Sequence, residues 1–159
     1  MERRTAFWLV VLMILTAWEN MAQAGKRLPV AAQIWLAGQW ELCEFEGRPL
    51  IGVKCAVSRV DITNDGKPDI LIDGDKLTCP DGRRFLCGAS DCKLVVFING
   101  RWRREFAQQG WEIEKISGIN VLSLSVPGSF CDGDPTMPCV RYAFWDRKKG
   151  KFRFFTEQE

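Results

Sequence analysis

Three aspartates at regular spacing point to the most specific chemistry in this sequence. They belong to a short segment with oxygen-bearing groups at alternate places: Asp61, Thr63, Asp65, the backbone carbonyl of Lys67, and Asp69. Hard cations such as Ca²⁺ take several oxygen ligands, and a glycine at the sixth place, here Gly66, permits the sharp turn that lets them converge. Carboxylates this close repel one another unless a cation neutralises them. The spacing therefore predicts a structural Ca²⁺ site.

The segment differs from an EF-hand in two ways. Its twelfth place holds Ile72, where an EF-hand has a bidentate glutamate. The residues Ile70-Leu-Ile72 indicate a strand, whereas a helix follows an EF-hand loop. A loop between two strands, with Asp-Gly-Lys-Pro-Asp-Ile-Leu running into the second, resembles the calcium loop of FG-GAP/VCBS-type repeats. The usual form of that loop has Asn or Asp at the third place, where this sequence has Thr63.

A looser resemblance covers more of the chain. It rests on the order of five features after the loop: the Cys-rich stretch Cys79 to Cys92, the run Leu94-Val-Val-Phe-Ile98, Gly128-Ser-Phe-Cys131, Pro138-Cys139, and Trp145-Asp146. This order is similar to that of small exported bacterial proteins of unassigned function that carry a single such loop. The resemblance implies a periplasmic domain that binds Ca²⁺, and it implies no activity. A single copy cannot form a propeller, which needs several blades.

The same segment has a second interpretation as an ordinary turn. Asn64-Asp65-Gly66 is common turn chemistry, and Asp61 and Asp69 would then lie solvated at the strand ends. Two further acidic turns, Asp73-Gly-Asp75 and Asp132-Gly-Asp134, would add ligands only if the fold brought them near the loop. Metal site and bare turn both remain open from the sequence alone.

The N-terminal residues have the pattern of an export signal. Arg3 and Arg4 precede an apolar run from Ala6 to Trp18, and Ala22-Gln-Ala24 offers small residues for cleavage. The run has thirteen residues, fewer than the roughly 20 that span a bilayer. We therefore expect residues 1–24 to be a cleaved signal peptide and residues 25–159 to be one periplasmic or secreted domain that does not span a membrane.

Cysteine usage supports an oxidising compartment. Seven cysteines follow the signal, so one must stay unpaired. Cys131 and Cys139 flank Asp-Gly-Asp-Pro-Thr-Met-Pro, a turn sequence that brings its ends together, and we predict a disulfide between them. At least one member of the Cys79 to Cys92 stretch should bond to Cys43 or Cys55. Zinc is disfavoured, because the chain has neither histidine nor a Cys-x-x-Cys motif.

Apolar periodicity predicts a disulfide-stapled α+β domain, mostly antiparallel β-sheet, with one N-terminal helix packed on the sheet. The helix is expected between Pro29 and Phe45, with Trp40 against the sheet and Cys43 as its staple. Trp102 and Trp111 are expected to point into the core. Eight strands are predicted: Val57–Ile62, Ile70–Ile72, Lys93–Ile98, Arg101–Phe106, Trp111–Ile116, Val121–Val126, Val140–Trp145 and Phe152–Phe155.

Net charge and residue types exclude several classes of function. The net charge is +2, and it stays +2 without residues 1–24, so no basic excess predicts nucleic-acid binding. Without histidine, Ser-His-Asp and Cys-His catalysis are excluded. We expect an exported binding or interaction module for a protein or cell-envelope component. The alternatives are an envelope hydrolase with a catalytic cation in the Asp61–Asp69 loop and a redox role for the unpaired cysteine.

Overall fold

The computed structural model describes residues 28–43, 50–131, 134 and 137–155, without the side chains of Trp102 and Arg103. The predicted signal peptide (residues 1–24), the end of the predicted helix (residues 44–45) and Asp132 lie outside these residues. Two α-helices and eight strands are present in the described range: α1 (Val30–Leu42), α2 (Val53–Ala56), β1 (Val57–Val60), β2 (Asp69–Asp73), β3 (Cys92–Ile98), β4 (Trp102–Gln108), β5 (Gly110–Ile116), β6 (Ile119–Pro127), β7 (Pro138–Asp146) and β8 (Lys151–Phe155).

The predicted antiparallel strands are confirmed, but the expectation of one sheet is wrong. The first sheet has the order β1-β2-β3-β4 and the second the order β5-β6-β7-β8, and all neighbours are antiparallel. Only Gln109 separates β4 from β5, and a two-residue loop is the shortest common hairpin connection. The chain therefore bends into the second sheet, where the N–H of Gln109 donates to the carbonyl of Ser125 at 2.7 Å.

The main apolar cluster joins residues of both sheets. The first sheet contributes Leu94, Val96 and Phe106, and the second contributes Leu122 and Leu124. The Phe106 ring meets the Phe152 ring edge-on, with centroids 5.1 Å apart, a favourable arrangement for aromatic pairs.

A second apolar cluster contains the alternate residues of β3. Val95 and Phe97 belong to it together with Ala32 and Trp35 of α1. Successive side chains of a strand point to opposite faces, so both faces of β3 are buried. This double burial explains the uninterrupted apolar run Leu94–Ile98 that follows exposed Lys93.

The helix contributes a different tryptophan from the predicted one. Trp35 is buried, and its ring lies edge-on to Phe97 with centroids 6.2 Å apart. Trp40, which was expected to face the sheet, is 44% exposed, so that prediction is wrong. Ala32 and Trp35 are three positions apart on one side of the helix, whereas Trp40 lies on another side.

Three disulfides are present among the described residues. Cys43 bonds to Cys79, Cys87 to Cys92, and Cys131 to Cys139. The first connects α1 to the body of the domain, as the cysteine spacing predicts, and the third is the pair predicted from its intervening turn. The unpaired cysteine is Cys55, which is exposed.

Candidate functional site

The aspartate loop is organised by hydrogen bonds to its own backbone. The carboxylate of Asp61 accepts from the N–H groups of Asp65 at 3.0 Å and Gly66 at 2.8 Å. The carboxylate of Asp65 accepts from the N–H of Lys67 at 2.9 Å. Gly66 has φ +85°, a conformation that favours glycine. The tight turn predicted from the glycine is therefore present.

Thr63 lies among the carboxylates. Its side chain is buried, and its hydroxyl donates to Asp61 at 3.4 Å. Its carbonyl accepts from Nε of Arg147 at 2.9 Å, which ties the loop to the β7–β8 connection. The amide side chains of Asn64 and Asn120 fix the loop to β6, since Asn64 Oδ1 accepts from the N–H of Asn120 and Asn120 Nδ2 donates to the carbonyl of Asp61, both at 2.6 Å.

Asp69 has a different environment from the other two aspartates. It is 1% exposed at the start of β2. One carboxylate oxygen accepts from the N–H groups of Ile62 at 3.2 Å and Thr63 at 3.1 Å, and the other accepts from the N–H of Asn99 at 3.1 Å. Asp69 thus connects the loop to the β3–β4 hairpin.

Burial and hydrogen bonding shift the acidity of two loop carboxyls in opposite directions. Burial raises the pKa of Asp69, although the N–H groups of Asn99, Thr63 and Ile62 favour its charged form. The N–H of Lys67 lowers the pKa of exposed Asp65. Asp65 is therefore the more strongly acidic of these two loop carboxyls.

The loop offers only part of the predicted ligand set to a cation. Within the described part of the chain, Asp61, Asp65 and Asp69 do not place one oxygen each within 4.8 Å of one another. Asp65 is exposed and Asp61 partly exposed, whereas Asp69 is buried. The carboxylates that Ca²⁺ can reach are thus those of Asp61 and Asp65. The Lys67 carbonyl stays a predicted ligand beside them.

The acidic turn after β2 does not join this loop. The buried carboxylate of Asp73 accepts from Gln108 Nε2, from Trp111 Nε1 and from the N–H of Asp75, each at 3.1 Å. Trp111 is partly buried against the main cluster, in line with the inward orientation predicted for it. Asp75 forms an ion pair with Arg84.

A polar cavity of about 330 Å³ lies beside this turn. Its lining includes both sulfur residues of the Cys87–Cys92 disulfide, the Asp75–Arg84 ion pair and Gln108. Sequence reasoning did not single out Arg84, because nothing in the local pattern shows that it reaches a cysteine. Asp75, Cys87 and Cys92 place ligand atoms within 4.8 Å of one another, but the disulfide prevents both sulfurs from acting as thiolate ligands.

The outward side of α1 is an exposed apolar surface. Val30 and Ile34, four positions apart on the side away from Ala32, are 70% and 66% exposed, and Leu42 at the C-terminal end of the helix is 62% exposed. A groove of about 300 Å³ runs beside this surface, lined by Ala31, Ile34, Trp35, Phe97 and Arg101.

A second depression continues from the groove toward the aspartate loop. Its lining includes Pro29, Asp65, Lys67 and Arg101. Arg101 lines both depressions, so the depression beside the helix and the one beside the loop are neighbours.

Comparison with known proteins adds no assignment, since no protein-family model, curated protein or solved structure matches this chain. Among the described residues, no helix has the length and apolarity needed to cross a bilayer.

Proposed function

We propose that the chain is an exported, non-catalytic binding module that docks on a partner protein through α1. The observation that carries the proposal is the exposure of Val30 and Ile34, which lie four positions apart on one side of α1. Gln33 and Glu41 are exposed polar side chains of the same helix, and an exposed apolar patch with a polar rim marks an interaction site. One side of α1 has Trp35 in the second apolar cluster, so the other side is available to a partner.

The charges around the helix favour a protein over a lipid surface. Helices that lie on membranes carry Lys and Arg along their polar face, and α1 has neither. Asp65, Lys67 and Arg101 border the surface with charges of both signs. An apolar centre with a mixed polar rim is the usual anatomy of a protein–protein interface. The partner should therefore present an apolar groove or helix with a polar margin.

Export is supported by the three disulfides, which persist in oxidising compartments. In this proposal α1 packs on the first sheet through Trp35, and the Cys43–Cys79 bond holds its C-terminal end. The rest of α1 can then face outward without detaching from the domain.

Replacing Ile34 by glutamate tests the docking surface. We expect binding to the partner to weaken about 100-fold, because a hot-spot contact is lost and a charge enters an apolar interface. The melting midpoint should stay near the wild-type value, because Ile34 is 66% exposed in the free domain. A photo-crosslinking residue at position 34 identifies the partner in the cell envelope, and calorimetry with the purified partner measures the affinity.

The matched control places the same charge on the second sheet. Val140 is 46% exposed on β7, so Val140→Glu adds an equal charge away from α1. This variant should bind like the wild type. Equal affinities for Val140→Glu and Ile34→Glu would contradict docking through α1. A crosslink at position 34 between two copies of the chain would show that α1 docks on a second copy of this chain and not on a different protein.

We further propose that Ca²⁺, which the FG-GAP/VCBS resemblance implies, braces the loop through Asp61, Asp65 and the Lys67 carbonyl, three of the five predicted ligands. Calcium at ten times its dissociation constant stabilises a folded protein by about 1.4 kcal/mol. For a domain of this size we expect the melting midpoint to rise by about 5 °C. Melting curves with millimolar Ca²⁺ and with chelator measure this shift.

Asp65→Ala is the control for the calcium brace. Asp65 is exposed, so its removal should abolish the calcium-dependent shift and leave the midpoint in chelator nearly unchanged. Identical wild-type melting curves in Ca²⁺ and in chelator would show that the loop is an ordinary turn. The proposed docking surface would not be affected by that result. The hydrolase alternative has no specific observation in its favour.

A further inference from the structure

We propose that the Cys87–Cys92 disulfide is a thiol–disulfide exchange site that reacts with the thiols of other molecules. The disulfide lines the polar cavity of about 330 Å³, together with Asp75 and Arg84. A terminal nitrogen of the Arg84 guanidinium lies 3.4 Å from Cys92 Sγ. The site is independent of the proposed docking surface and of the aspartate loop.

The backbone around this disulfide is held without it. Cys87 and Cys92 face each other in an antiparallel bridge. The N–H of Gly88 donates to the carbonyl of Asp91 at 2.7 Å, and the N–H of Lys93 donates to the carbonyl of Leu86 at 2.9 Å. These bonds close the hairpin on both sides of the cysteine pair. Opening the disulfide therefore leaves the hairpin in place.

The other two disulfides lack this combination of access and charge. Cys43 and Cys79 are buried, at 1% and 0% exposure. Cys131 and Cys139 are partly exposed, but the polar contact of Cys139 Sγ is the carbonyl of Pro127 at 3.7 Å, which does not stabilise a thiolate. Accessible disulfides are the ones that exchange readily, whereas buried ones resist attack.

Burial and charge together select the sulfur that is attacked. Cys92 is 8% exposed, and Cys87 is the more accessible of the two. An incoming thiolate attacks Cys87 Sγ and forms a mixed disulfide, while the Cys87–Cys92 bond breaks and its electron pair leaves on Cys92 Sγ. The guanidinium of Arg84 stabilises this thiolate, and a better-stabilised leaving thiolate departs faster.

A second thiol completes the exchange. Its thiolate attacks the sulfur of the first substrate thiol in the mixed disulfide, and Cys87 leaves as a thiolate that takes up a proton. Two substrate thiols are thereby oxidised to one disulfide, and the protein disulfide is reduced to two thiols. The substrate class is a thiol that fits the cavity, either a low-molecular-weight thiol or a cysteine on an extended peptide.

Asp75 gives the site a second charge with the opposite effect. Its carboxylate oxygen lies 3.5 Å from Cys92 Sγ and pairs with Arg84. A negative charge at this distance disfavours a thiolate on Cys92. Replacing Arg84 and replacing Asp75 should therefore change the rate of exchange in opposite directions.

Timed alkylation of the folded protein tests the proposal. The full chain, with exposed Cys55 replaced by serine, is incubated with reduced glutathione or with a cysteine-containing peptide, and free thiols are trapped and mapped by mass spectrometry. We expect Cys87 and Cys92 to be labelled at least tenfold faster than the other four cysteines. Arg84→Ala should slow this labelling about three- to tenfold, and Asp75→Asn should accelerate it. Faster exchange with glutathione than with the peptide would identify the small thiol as substrate, and the reverse order the peptide.

Arg153→Ala removes an exposed arginine that pairs with Asp146 in the second sheet, away from the disulfide, and should leave the rate unchanged. Two results would overturn the proposal. One is simultaneous opening of all three disulfides at a rate that follows global unfolding. The other is an unchanged rate in both the Arg84 and Asp75 variants, each verified as folded by its melting curve.

Discussion

Replacing Asp69 by alanine is expected to lower the free energy of unfolding by about 2–5 kcal/mol, because a buried donor without an acceptor costs about 1–3 kcal/mol. The N–H of buried Thr63 would lose its acceptor, and the N–H of Asn99, in an exposed turn, would lose a hydrogen bond to a charged group, worth about 1.5–3 kcal/mol, whereas the N–H of Ile62 retains the carbonyl of Val60 at 3.0 Å. Urea denaturation measures the loss. An unchanged denaturant slope would show that the variant still unfolds in the same cooperative transition.

Asp65→Ala is the matched control for Asp69→Ala, since both remove a carboxylate from the same loop. Asp65 is exposed and accepts one backbone hydrogen bond, so we expect a loss below about 1 kcal/mol. Similar losses in chelator for the two variants would contradict the anchoring role of Asp69. The comparison therefore separates a hydrogen-bonding role of the loop from calcium binding.

The strands could be predicted because their signals are local. Asn99-Gly100 between apolar runs predicts a tight hairpin, and both residues have positive φ, +49° and +67°. The run Leu94-Val-Val-Phe-Ile98 predicts a strand, and the structure shows that both of its faces are buried. Turn chemistry and β-branched residues thus sufficed to place all eight strands.

The division into two sheets depends on non-local packing. Nothing in Gln108-Gln109-Gly110 distinguishes a bend between sheets from a turn within one sheet. Helix α2 was not predicted either, since its four residues are too few for an apolar period. It begins after Gly52, where a side chain would lie 2.0 Å from the carbonyl oxygen of Lys76. That contact arises from residues far apart in the sequence.

The geometry of the candidate sites also depends on non-local packing. Spacing identified the aspartates, but it could not show that Asp69 belongs to a strand and turns toward Asn99. The cysteine pattern predicted a bond from Cys43 to the Cys-rich stretch, but the approach of Arg84 to Cys92 depends on the folded hairpin. Residue types and loop chemistry are readable from the sequence, whereas the direction of a side chain is set by tertiary packing.

Removing the Cys43–Cys79 disulfide is expected to cost about 4 kcal/mol, the other large effect on stability. The bond closes a loop with a sequence separation of 36, and in the chain-entropy model a loop of this length contributes nearly twice as much as a loop of five or six residues. Both cysteines are buried, and Cys43 ends α1. The double replacement Cys43→Ala and Cys79→Ala should therefore destabilise the domain and loosen the helix.

Removal of the Cys87–Cys92 disulfide provides the comparison, because its sequence separation is only 5. We expect this double alanine variant to lose about 2 kcal/mol, since the hairpin keeps its backbone hydrogen bonds. Urea denaturation of both variants gives the difference, and hydrogen exchange along α1 reports whether the helix opens. Greater destabilisation by loss of Cys87–Cys92 would show that this bond contributes more to stability than Cys43–Cys79. Slow exchange in α1 without Cys43–Cys79 would show that apolar packing, including Ala32 and Trp35, is sufficient to hold the helix. The expected order assigns stability to the long-range bond, which leaves the short-range bond free to open and close in the folded protein.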